Sequence, residues 1–176
     1  GGGGPPGHGG RGRGNRSPGV IPAAGSRSEA DHEALDASSW GFEAAGHLLG
    51  RNQVKAALQE TMRVVAAANA YLSTMEPWKL KEDLPRRDTV LHVALQLIDD
   101  AKTLLTPFLP HSSQKVFEAL GGTGEWSGMP SLVEVDDLDG GPSYPVLMGD
   151  YASAQAVWES RPIVPGTTIG EPTPLF

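Results

Sequence analysis

The feature that most restricts this chain is a run of residues at spacings of three and four. Val54, Leu58, Met62, Val65, Asn69 and Leu72 recur at the helical period, which puts them on one face of a helix over about 52–75. Ala56, Ala57, Ala66, Ala67 and Ala68 lie within it, raising helix propensity and permitting close packing. The helix is expected to stop at Glu76-Pro77, because proline disfavours helical backbone in the residue before it. Ser28 is a natural N-cap, followed by Glu29, Asp31 and Glu33 where acids favour the helix dipole. This predicts a helix to Leu49 with Leu35, Phe42, Ala45 and Leu49 inward and Gly50 as its stop. Gly41 and Gly46 count against it by about 1 kcal/mol each. A third helix is expected over 89–105 with Asp88 as cap and Leu91, Leu95, Ile98, Ala101 and Leu105 as its core stripe. Val90, Val93, Ala94, Leu97 and Leu104 widen that stripe, which calls for more than one packing neighbour. Pro107 and Pro110 interrupt the chain, and a short helix is expected from Ser112 to Leu120. The predicted fold class is therefore all-α, a helical bundle with an irregular C-terminal extension.

The extension and the N-terminal flank are set by glycine and proline. Residues 1–18 hold nine Gly and three Pro, and residues 1–27 have too few apolar groups to offset the entropy of ordering them. They are expected to form a disordered tail; Arg11, Arg13 and Arg16 leave open an RGG-like RNA-binding segment. Residues 121–176 hold nine Gly, seven Pro and the acids Glu134, Asp136, Asp137 and Asp139. No helix is expected there beyond a short one over 152–158. The expected division is 1–27 tail, 28–120 bundle and 121–176 extension.

Composition removes several classes of function. The chain has no cysteine, which excludes within it a disulfide scaffold, a thiolate metal site and a thiol nucleophile. No apolar run approaches the ~20 residues of a membrane span, and the N-terminus lacks the apolar core of a secretory signal. A soluble domain of a cytoplasmic protein is expected, without membrane contact. Residues 1–18 carry three Arg and no acid against a net charge of -7 for the whole. The acidic remainder is a poor general binder of nucleic acid, so any RNA contact must be local. Phosphate-loop, nucleophile-elbow and HExxH patterns are absent. His8, His32, His47, His92 and His111 share no metal spacing with a carboxylate partner; His111, after Pro110, reads as a helix-start residue. Asp136-Asp137-Leu138-Asp139 lacks the calcium-loop pattern and reads as a solvated loop, and Asp99-Asp100 as a polar helix face. No catalytic residue, metal site or cofactor is expected in this chain.

One stretch does carry chemistry. In Met75-Glu76-Pro77-Trp78-Lys79-Leu80-Lys81 a tryptophan follows a helix-ending proline, flanked by Lys79 and Lys81 with Arg86 and Arg87 shortly after. An aromatic ring among cations holds an unstacked RNA base while the cations meet phosphate. On composition alone, a tryptophan plugging the end of the bundle is the stronger reading.

Ala68-Asn69-Ala70-Tyr71-Leu72-Ser73-Thr74-Met75-Glu76-Pro77-Trp78 resembles the anticodon-binding domain of bacterial methionyl-tRNA synthetases, with its N-x-Y…[EA]-P-W signature. Two further stretches agree in order: Leu104-Leu105-Thr106-Pro107-Phe108-Leu109-Pro110-His111-Ser112-Ser113-Gln114 with Leu120-Gly121-Gly122, then Gly149-Asp150-Tyr151, Trp158, Arg161-Pro162-Ile163, Gly166-Thr167 and Pro172-Thr173-Pro174-Leu175-Phe176. The similarity spans about residues 19–176. It implies a helical domain of a class I synthetase that binds methionine tRNA, with Trp78 stacked on an anticodon base. Asn69, Lys79 and Lys81 are the further tRNA contacts expected with it. The whole family enzyme joins methionine to its tRNA with ATP, and the C-terminal segment folds toward a catalytic domain whose H-x-G-H and K-M-S-K-S motifs this chain lacks. It is expected to be inactive alone. The family's Asn and Arg, one helical turn apart on a preceding helix, are not matched by Asn15-Arg16. A shifted reading frame or a sequence junction is the expected origin of residues 1–18. Ala70 stands where the family usually has a basic residue, and the family's K-x-L-D run past Phe176 is missing. The alternatives are the corresponding domain of an isoleucine, leucine or valine enzyme, and a helical interaction module without an RNA role.

Overall fold

A computed structural model describes residues 19–128, 131–148 and 154–170. Four helices make the bundle: α1 (Glu29–Gly50), α2 (Val54–Met75), α3 (Leu84–Leu105) and α4 (Pro110–Ala119). A single 3₁₀ turn, Pro77–Lys79, joins α2 to α3. Helices α1, α2 and α3 pack pairwise, and α4 packs on α3. α3 is the central helix; Val90, Val93, Ala94, Leu97, Ala101, Leu104 and Leu105 on it are buried. Leu91, Leu95 and Ile98, expected as the centre of its core stripe, are only half-buried: with α1, α2 and α4 all packed on this helix, the face expected merely to widen the stripe is the one enclosed.

Ser28 caps α1 through a capping box with Asp31, as the sequence predicts, although Gly50 closes the helix from within. The start of α3 is corrected. It begins five residues before Thr89, at Leu84, with Asp83 as the cap accepting from the Arg86 amide at 3.2 Å. Pro85 is harmless there because the first-turn N–H groups have no intrahelical partner. Likewise α4 opens on Pro110 rather than Ser112; His111 follows it and is exposed.

The buried face of α2 also differs from the predicted one. Ala57, Thr61, Val64 and Tyr71 are buried, whereas Val54 is 55% exposed, Leu58 37% and Met62 48%. The two stripes lie side by side, and packing distance selects the one with small residues. Ala45 of α1 and Ala57 of α2 are fully buried, and a Cβ on Gly41 would lie 2.5 Å from Val64 Cγ2. Gly41 is thus a point of close approach, not merely a weak point in α1.

The flanks are more ordered than their composition implies. Residues 19–21 pair with 166–169: Ile21 N donates to Thr167 O at 2.9 Å and Ile169 N to Gly19 O at 2.8 Å. Ile21 is 3% exposed. The strand-like segment then follows α3, with Pro22 O accepting from His92 Nδ1 at 2.7 Å and Gly25 N donating to Thr89 Oγ1 at 2.9 Å. The expected tail therefore does not extend to residue 27; residues 1–18 lie outside the described span, and with them His8, Asn15 and the three tail arginines.

The extension contains a hairpin that the glycine and proline count concealed. β1 (Ser131–Val135) and β2 (Tyr144–Met148) pair antiparallel, Ser131 opposite Met148 and Val135 opposite Tyr144. The acidic run is its turn: Asp137 accepts from the Asp139 amide at 3.1 Å, and Gly140 takes a positive φ of 82°. No helix occurs over 154–158. That segment instead docks on the bundle, with the Trp158 ring edge-on to Phe42 at 5.6 Å and its indole N–H donating to Phe42 O at 2.9 Å. Gly46 makes room for this ring, since a Cβ there would lie 2.7 Å from Trp158 Nε1. Gly149-Asp150-Tyr151 and Pro172–Phe176 lie outside the described residues. Among the described residues no helix is long and apolar enough to cross a membrane.

Candidate functional site

The corner between α2 and α3 begins at Glu76, which caps α2 in left-handed backbone (φ 44°, ψ 61°) with its N–H donating to Leu72 O. For a residue with a Cβ this conformation costs about 1–2 kcal/mol and persists only where the surroundings enforce it. Pro77 is buried directly after it, and Leu80 packs against the cluster of Tyr71, Val90, Val93, Ala94 and Leu97. Between these two anchors the chain turns outward, leaving Trp78 58% exposed. Trp78 therefore does not plug the bundle. Among the described residues the ring–ring contacts are Phe42 with Trp158 and Phe117 with Trp126, so the Trp78 ring has no aromatic partner within the fold.

The cations around it divide into two groups. Lys79 and Lys81 are exposed; Lys79 Nζ lies 3.1 Å from the Glu76 carboxylate, on a side chain that is 67% exposed. An exposed pair of this kind is worth under about 1 kcal/mol, so Lys79 is readily drawn to a stronger anion. Arg86, counted with the free cations by its position in sequence, is turned inward instead. Its Nη1 donates to Asp31 Oδ2 at 2.6 Å and its Nη2 to Asp31 Oδ1 at 3.0 Å. Arg87 reaches Asp88 at 3.9 Å and stays partly exposed. Asn69 is exposed on α2, seven residues before Glu76 and so about 10 Å up the same face of the helix.

The inward arginine belongs to a network that sequence reading missed. Asp31 has no exposed surface, and its Oδ1 also accepts from the Tyr71 hydroxyl at 2.7 Å. Its Oδ2 accepts from the Ser28 amide at 2.9 Å. Arg86 Nη2 touches Ser28 Oγ at 3.2 Å and Met75 Sδ at 3.7 Å. Burial pushes the Asp31 carboxyl up, but the hydrogen bonds from Arg86, Tyr71 and Ser28 outweigh it and hold the group well below the usual carboxylate range. Burial and the neighbouring carboxylate push the Tyr71 hydroxyl up. The partners lie 40 and 55 residues from Asp31, so no local pattern announces them.

Away from this corner a cleft of about 260 Å³ opens between α3, α4 and the 155–167 segment. Both of its cations are engaged: Lys102 with Asp99 at 2.7 Å and with the Trp126 ring, 3.7 Å from its centroid, and Arg161 with Glu159 at 3.3 Å. Among the described residues no three His, Asp or Glu side chains converge as a metal site. The Trp78 corner combines an exposed ring on an anchored turn with exposed lysines beside it.

Residues 21–146 match the family described as the anticodon binding domain of methionyl tRNA ligase. The methionine–tRNA ligase of Thermobifida fusca (strain YX) is 61% identical over 163 residues, which is 90% of this chain and 27% of that protein. The corresponding ligase of Saccharopolyspora erythraea is 60% identical over 159 residues, again 27% of its length. The fold is similar to that of the apo form of Mycobacterium tuberculosis methionyl-tRNA synthetase, with a TM-score of 0.65 over 90% of this chain and 27% of that one, at 22% identity. The chain thus spans about a quarter of the length of the curated relatives it matches.

Proposed function

The chain belongs to the family of anticodon-binding domains of methionyl-tRNA ligases, and from that premise we propose that it recognises methionine tRNA through the Trp78 corner. The exposure of Trp78 on a turn anchored at both ends supports this reading above any other observation. A ring carried on such a turn can present its face to an unstacked anticodon base without the backbone beneath it having first to be ordered. Lys79 and Lys81 lie beside it for phosphate, and Asn69 stands two turns away for a further polar contact. The acidic remainder of the chain makes binding depend on this local patch, and its lysine–phosphate contacts weaken as salt rises.

The parent enzyme, on this reading, activates methionine with ATP in the cytoplasm and transfers it to the tRNA that this domain holds. ATP chemistry is not assigned to any residue of this chain. The matching family is that of methionine, which favours it over the isoleucine, leucine and valine alternatives and over an interaction module without RNA.

The test is titration of this chain with methionine tRNA and with the same tRNA carrying a substituted anticodon. Trp78→Ala is expected to weaken binding of the first by about 1–3 kcal/mol, the worth of one base stack, with little change in melting temperature because the ring is more than half exposed. Equal binding of both tRNAs by the unaltered chain, or unchanged binding by Trp78→Ala, would overturn the reading.

A further inference from the structure

We propose that Arg86 is a positioning residue for RNA recognition: through Asp31 and Tyr71 it sets the direction of the Trp78 ring without touching the RNA itself. This rests on the stacking role proposed for Trp78. Three helices meet at the network. Asp31 lies in the first turn of α1, Tyr71 and Met75 in the last turns of α2, and Arg86 in the first turn of α3. The turn that carries Trp78 hangs from the last two of these ends. Its entry is Met75-Glu76, and the Met75 thioether lies 3.7 Å from Arg86 Nη2. Its exit leads through Leu80, which packs on the same cluster as Tyr71 and Met75.

The planar fork of Arg86 suits the task, because two parallel bonds to one carboxylate fix an angle as well as a distance. Tyr71 bonds the same carboxylate from α2, so a shift of either helix end disturbs both. The left-handed backbone at Glu76 needs surroundings that over-determine it, and this network supplies them one residue away. Trp78 is 58% exposed and its side chain makes no hydrogen bond among the described residues, so the turn's backbone is what sets the direction of its Cα–Cβ bond. Arg86 itself faces inward with its side chain 26% exposed, which leaves its guanidinium engaged with Asp31, Ser28 and Met75.

The experiment is a double-mutant cycle on this chain, titrated with methionine tRNA at a temperature where each protein is shown folded by melting. Arg86→Gln is expected to weaken binding at least about fivefold, within the range of one lost stack, and to add nothing once Trp78 is already alanine. The non-additivity is the signature, because a purely structural residue leaves the affinity of the folded fraction unchanged. If Arg86→Gln does not fold, Tyr71→Phe takes its place, removing only the hydroxyl donated to Asp31, and is judged by the same cycle. Wild-type affinity in the folded single variant, with Trp78→Ala still impaired, overturns the positioning role and leaves the stacking role standing. An equal loss in both backgrounds overturns it too, since the residue then acts independently of Trp78. Unchanged binding by Trp78→Ala removes the stacking role, and the positioning role with it.

Discussion

Asp31 shows how a charge is kept inside a small bundle. It is fully buried, and removing its charge would leave the Arg86 guanidinium without a carboxylate, a loss typically of about 3–5 kcal/mol for a buried pair. Arg86 keeps some solvent, so Asp31→Asn is expected to cost about 3 kcal/mol at neutral pH, read as a lowered urea midpoint. The pH dependence has a definite sign. The folded carboxyl is held below its ordinary value of 3.8, so its contribution is complete above that pH and is lost as pH falls below it. The gap between the two proteins should therefore narrow on acidification below 3.8 and stay level from there to neutrality. Asp100 works in the opposite sense. Burial pushes its carboxyl up, only partly offset by donors on Ser160, Ser38 and Gln96, so ionising it costs stability as pH rises above 3.8. Both proteins share Asp100, and its effect cancels in the comparison.

Among the elements, the helices were legible because their period and breakers are local, and the choice of face was not. Two neighbouring stripes of α2 are apolar, and hydrophobicity alone favours Val54, Leu58 and Met62. The stripe of Ala57 and Val64 is buried because glycine and alanine on α1 let the axes approach. A test is Gly41→Ala. Alanine should add about 1 kcal/mol of helix propensity, yet its Cβ would meet Val64 at 2.5 Å, where overpacking costs about 1–3 kcal/mol. A net loss of about 1 kcal/mol in chemical unfolding is expected, whereas a gain would show that Val64 moves aside freely. The Trp78 corner was readable from Glu76-Pro77-Trp78 together with the resemblance. The inward turn of Arg86 was not, because it depends on where α3 begins and on a carboxylate 55 residues away. The hairpin was hidden by a count of turn formers that in fact mark its loop.

At the scale of the molecule, the segments at 19–27 and 154–170 act as straps. Gln96 illustrates it: its side chain donates to Arg161 O at 2.9 Å and accepts from Ile163 N at 3.0 Å. Such order has no local signal in a stretch rich in glycine and proline, since its hydrogen-bond partners lie on distant elements. Ile21→Ala measures the first strap. A buried isoleucine truncated to alanine costs about 2–5 kcal/mol, and a drop near the lower end is expected in a chemical melt; a flexible tail would show none.

The straps also fix where the described chain enters and leaves. Gly19 and Ile169 are hydrogen-bonded neighbours, and Ile21 and Thr167 line the same cleft as Thr103 near the end of α3. Trp78 lies beyond the other end of that helix, whose 22 residues span roughly 33 Å. The N-terminal strap bridges much of that distance, running from the cleft to His92 and Thr89 in the first half of α3. From Thr103 to Thr89 is fourteen residues, roughly 21 Å of helix. The first described residues thus brace the helix along its length, and the ring stands at the far end of a stiffened beam.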